Sequence, residues 1–85
     1  MWGERITMRQ LCIAAGIRES LLQRMVEMEL VTPITEEEEP VFATEALRLV
    51  RRMLRLHYEL GIGWSSMGIV MDLLARIEEL ERRLA

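Results

Sequence analysis

The sequence predicts an all-α fold: a winged helix-turn-helix with a short wing and a C-terminal pairing helix. Three observations carry this. Two short amphipathic segments meet across Gly16-Ile17, an apolar stop at Leu30-Val31-Thr32-Pro33 precedes four consecutive glutamates, and two longer periodic segments are divided by Gly61-Ile62-Gly63. At 85 residues the chain makes one domain, in which residues 1–43 form the helix-turn-helix with its acidic wing and residues 44–85 the third helix and a dimerisation helix. A chain this short draws only about 3–5 kcal/mol from a single apolar core, so self-association would help it.

The first helix starts at Thr7-Met8-Arg9-Gln10, a capping box in which the threonine hydroxyl and the glutamine amide satisfy each other's orphan backbone N–H groups. Leu11, Ala14 and Ala15 recur at helical spacing, and Gly16 supplies the left-handed residue that commonly closes a helix. The second helix is expected from Arg18 to Met28, with Leu21, Leu22, Met25 and Met28 as its apolar stripe. Two short helices joined by a tight glycine turn constitute a helix-turn-helix.

Leu30 and Val31 form an apolar plug, and Thr35 to Val41 is expected as a short hairpin or an irregular wing. Pro40 restricts any strand there to an edge. Thr44 is placed to cap a third helix running to Leu60. Its apolar residues, from Ala46 and Leu47 through Val50 and Met53 to Leu60, fill an arc of roughly 200° at 100° per residue, which implies packing on two sides. Arg48, Arg51, Arg52 and Arg55 occupy the remainder with Glu45 and Glu59. After the glycines, Trp64 or Ser65 opens a fourth helix that meets no breaker. Val70, Leu73, Ile77, Leu80 and Leu84 repeat at 3-4-3-4 spacing, the seam of a paired helix. Glu78 with Arg82 and Glu79 with Arg83 stand at the favourable i,i+4 spacing.

Charge is distributed unevenly. The net charge is −3, and every basic residue is arginine. Residues 1–43 hold four arginines against eight glutamates, whereas residues 44–85 hold seven arginines against six acids. A nucleic-acid reader is expected to show the opposite asymmetry, because arginine and lysine neutralising phosphates supply nearly all its sequence-independent affinity. Glu36, Glu37, Glu38 and Glu39 therefore stand as either a solvated loop or an electrostatic docking surface, which Glu27 and Glu29 would widen for a basic partner.

No Gly-rich phosphate loop, nucleophile-base pair or metal-ligand cluster is present in the sequence, so neither an enzyme nor a cofactor or metal site is expected. Cys12, the single cysteine, sits among Leu11, Ile13 and Ala14 as a buried thiol. His57, the single histidine, falls in the third helix's apolar arc with no cysteine or acid one turn away on that face, the setting of a structural histidine rather than a ligand or base. Trp64 is expected to clamp the junction of helices three and four. The seven methionines read as core filler, with Met67 and Met71 able to extend an interface. The longest uncharged stretch, Leu60 to Met71, is far below the ~18 apolar residues of a membrane span. The start, Met1-Trp2-Gly3-Glu4-Arg5, lacks the basic onset and apolar run of a secretory signal. A cytoplasmic location is expected.

With these elements in this order, the chain resembles the MerR-like DNA-binding domains, and most of all their divergent relatives, the CbpM-type chaperone modulators. The likeness runs from about Ile6 to Leu84. It is carried by Val41-Phe42, by the run from Arg55-Leu56-His57-Tyr58-Glu59-Leu60 to Gly61-Ile62-Gly63-Trp64, by Gly68-Ile69, and by Leu73 to Leu80 in the terminal helix. The Arg-Tyr-Tyr-Glu stretch usual in MerR-type regulators is replaced by Gln23-Arg24-Met25-Val26, and the wing lacks basic and aromatic residues. The resemblance implies a small cytoplasmic adaptor that binds the J domain of a CbpA/DnaJ-like co-chaperone and inhibits it, and helices three and four are expected to make it a homodimer. The rival expectation is a DNA-binding transcriptional regulator in which Arg18, Ser20, Gln23 and Arg24 read the major groove, with Arg9 and the basic stripe on the backbone. A plain dimerisation module is the third.

Overall fold

The computed structural model describes residues 5–35 and 38–85. In chain order these form β1 (Arg5–Thr7), α1 (Met8–Ala15), α2 (Glu19–Glu27), β2 (Val41–Ala43), α3 (Glu45–Leu60) and α4 (Trp64–Leu84). The fold is mostly helical, but the all-α expectation is incomplete: β1 and β2 pair antiparallel, with Ile6 opposite Phe42 and Thr7 opposite Val41.

Thr7 ends β1 and caps α1. Its backbone N–H donates to Gln10 Oε1 at 2.9 Å while its own Oγ1 accepts from the Gln10 N–H at 3.1 Å. The reciprocal cap expected from the sequence is therefore formed, and it fixes the angle at which the sheet feeds the helix. Gly16 closes α1 in the left-handed region, φ 72°.

α2 ends differently. Glu29, not a glycine, takes the left-handed position at φ 60°. Its N–H donates to the Val26 carbonyl at 3.0 Å and that of Leu30 to the Met25 carbonyl at 2.8 Å, the paired bonds of a Schellman motif. The chain then returns toward β2, where the Ile34 N–H donates to the Val41 carbonyl at 2.7 Å and Thr35 bridges Val41.

Thr44 precedes α3 without a side-chain cap bond, so its expected capping role is not realised; its own backbone is already helical, and a capping side chain needs an extended residue. Of the wide apolar arc of α3, Ala46, Val50 and Met53 are buried, Leu47, Leu49, Leu54 and Leu56 half-buried, and Tyr58 and Leu60 exposed. α3 packs on α1 and on α4, which accounts for the two-sided arc. The core is one cluster of buried side chains, Leu11, Cys12, Leu22, Met25, Val31, Phe42, Ala46, Val50, Met53 and Met67.

α3 and α4 meet at a bend of 117° across Gly61-Ile62-Gly63. The His57 ring stacks on Trp64 with centroids 4.4 Å apart, and its Nδ1 lies 2.7 Å from the Ile62 carbonyl. That accounts for both aromatic residues as fixtures of the elbow. No single helix among the described residues is long and apolar enough to cross a membrane.

Candidate docking site

α1 and α2 open a groove of about 570 Å³ against the α2–β2 connection, lined by Thr7, Met8, Arg9, Glu19, Gln23, Glu38, Glu39 and Pro40. The capping box holds Thr7 and Met8 at one end; Glu19, in the first turn of α2, is held there because a carboxylate suits the positive end of a helix. Pro40 leads into β2 and so brings Glu38 and Glu39 to the opposite wall. Three carboxylates against one guanidinium make the groove electronegative, a field that attracts cationic side chains and repels phosphate.

The sequence-derived candidates separate in space. Glu38 and Glu39 enter the groove, Glu27 and Glu29 are exposed outside its lining, and Glu36 and Glu37 lie outside the described residues. Glu19 was not singled out by the acidic run; its signal was the N-terminal position on α2. Arg18, Ser20, Gln23 and Arg24 are all exposed on or beside α2, but Gln23 faces the carboxylates of the groove. Cys12 on α1 is buried, and burial first, then the charge of Glu19, raises its thiol pKa above the ordinary value.

The outer face of α4 is the second feature. Ile69, Leu73, Ile77, Leu80 and Leu84 are 49–88 % exposed. At 100° per residue they fall within an arc of about 80°. Ile69 joins the expected seam, while Val70 is half-buried at its edge. Glu78 leaves its expected i,i+4 partner: it pairs with Arg52 of α3 at 2.8 Å, while Arg82 and Arg83 both turn to Glu79. The direction of Glu78, toward the inside of the bend rather than along the helix, is what reassigns it.

Residues 6–85 match the family described as MerR HTH family regulatory protein. The chain belongs to that family, on its CbpM branch. It is similar to the chaperone modulatory protein CbpM of Pseudomonas putida strain W619, 32% identical over 77 residues that cover 89% of this chain and 76% of the relative. The proteins of the same name from Pseudomonas putida strain GB-1 and Pseudomonas entomophila strain L48 are each 30% identical over the same shares of chain. In this chain the acidic groove lies in the half that carries α1 and α2.

Proposed function

We propose that this CbpM-branch protein is a cytoplasmic, non-enzymatic chaperone modulator that binds the J domain of a CbpA/DnaJ-like co-chaperone and inhibits it. The names of the relatives support a chaperone-modulating role. The observation that carries the binding mode is the groove where Glu19, Glu38 and Glu39 converge. In this reading the α2–β2 connection is the wing of a winged helix-turn-helix, turned from phosphate contact to the capture of a basic helix. Exposed carboxylates at such a surface raise the encounter rate and suppress anionic partners. Occupying the J domain would then hold it away from its DnaK-type chaperone. The exposed stripe on α4 supports a homodimer paired through Leu73, Ile77, Leu80 and Leu84, with Val70 at its margin.

A titration with purified J domain across ionic strength tests the charge-based surface. Affinity should fall steeply as salt rises; affinity that ignores salt, or that survives replacement of Glu19, Glu38 and Glu39 by glutamine, overturns it.

The family description favours one second reading, a transcriptional regulator using Arg18, Ser20, Gln23 and Arg24 on DNA. A gel shift run from low salt up to physiological ionic strength separates the two: saturable binding of duplex that persists at physiological ionic strength supports the regulator.

A further inference from the structure

We infer that the ion pair of Arg52 with Glu78 braces the elbow between α3 and α4 and biases the direction in which the exposed stripe of α4 points. The pair closes at 2.8 Å between two helices that meet at a bend of 117°. It stands well out from the vertex. Arg52 lies eight residues before Leu60 and Glu78 fourteen after Trp64, about 12 Å and about 21 Å along their axes.

The two halves of α4 are held differently. In the first, Met67 is buried, Trp64 and Met71 pack on the core, and a Cβ added at Gly68 would meet the Leu30 side chain at 3.6 Å. Beyond Met71 no side chain of α4 is buried: Leu74 and Glu79 are half-buried and the rest are exposed. Among the described residues, Arg52 with Glu78 is the one ion pair that ties this outer half to another element. Glu79 makes it possible by taking both Arg82 and Arg83, which leaves Glu78 free of its i,i+4 neighbour and able to reach α3.

A helix anchored at its base acts as a lever. A tilt of about 10° at Trp64 carries Leu84, roughly 30 Å away, through about 5 Å. The brace does not lock that tilt, because its two side chains are 37 % and 55 % exposed and a pair so open to water shifts a population by up to about fivefold. Screening by salt weakens the bias further. The brace stands whether or not two copies pair through the stripe. Where they pair as proposed above, the same tilt moves one acidic groove relative to the other, so ionic strength acts on the spacing of the two sites.

The test is the distance distribution between spin labels on α3 and α4, read by double electron-electron resonance in E45C/E81C with Cys12→Ala. Dilution with unlabelled chain restricts the signal to distances within one molecule. E78Q and R52Q should each raise the fraction of distances outside the main peak about two- to fivefold. The pair E78Q/R52Q should raise it no further than either alone, and R82Q, which removes the other arginine that spacing offers Glu78, should leave it unchanged. Molar salt added to the chain with both partners intact should reproduce the effect of E78Q. Circular dichroism shows which variants fold, and the salt titration carries the test for any that does not. A distribution that E78Q, R52Q and salt all leave unchanged overturns the brace, as do additive effects in the double variant or an equal broadening by R82Q.

Discussion

The imidazole of His57 lies nearly parallel to the indole of Trp64, with 25° between the ring planes. The same imidazole meets the edge of Tyr58 at 4.7 Å and reaches the Ile62 carbonyl from Nδ1. With Nδ1–H as the donor, the stack and the hydrogen bond both depend on one ring orientation. Replacing His57 by Ala removes the aromatic contact and leaves the half-buried carbonyl without its side-chain donor. A loss of about 1–2 kcal/mol follows, read as a lower urea midpoint at unchanged slope. Retention of wild-type stability would show that the glycines alone hold the elbow.

Glu29 occupies a backbone region that costs a side chain about 1 kcal/mol and costs glycine nothing. Glu29→Gly should therefore raise stability by up to about 1 kcal/mol, with the glycine's greater freedom in the unfolded chain offsetting part of the gain. The melting temperature is the readout. Because Glu29 lies outside the acidic groove, J-domain affinity should move little; a fall as large as that of Glu38→Gln would extend the docking surface to the end of α2.

Glu19→Gln should weaken J-domain binding about two- to fivefold at low salt, the effect expected of one exposed charge. The loss should shrink as salt is added. Titration calorimetry at two ionic strengths checks it, and an effect equal at both would remove Glu19 from the electrostatic surface.

On α4, Ile77→Glu places a charge in the middle of an exposed apolar stripe. The side chain is 49 % exposed, so the fold should persist, whereas pairing of two copies should fail. Sedimentation should show the dimer lost at concentrations where the unaltered chain retains it.

The Cys12 thiol is raised by burial and by Glu19. The folded chain thus holds its proton to higher pH than the unfolded chain does. The stability this contributes is complete below the unfolded thiol pKa and is lost as pH rises through the folded value. Cys12→Ala should flatten that alkaline decline in chemical denaturation. In the intact protein, alkylation at pH 8 should proceed at a rate set by opening of the core, far slower than in urea.

What the sequence made legible was local. The Thr7–Gln10 box, the left-handed Gly16, and the stop of α3 at Leu60 before Gly61 are decided within a turn or two of chain, so spacing and residue type suffice. β1 is three residues long, too short for alternation to register, and its partner lies more than thirty residues away. The α2 terminus was hidden because a glutamate, not a glycine, takes the left-handed position. At the site, the acidic run pointed to Glu38 and Glu39, but only packing of α2 beside the connection adds Glu19. Likewise only the 117° bend could tell that Glu78 meets Arg52 instead of Arg82.

The pairing of Ile6 with Phe42 ties the start of the first half to its end. Closing a loop of that length costs about 3 kcal/mol beyond a constant term, more than two three-residue strands recover unaided. The clasp therefore depends on the packed helical core that Phe42 enters, and its amide protons should exchange sooner than those of the buried helices, as hydrogen exchange would show. Thr7 both pairs with Val41 in this clasp and lines the acidic groove, so opening the clasp would move one wall of the groove with it.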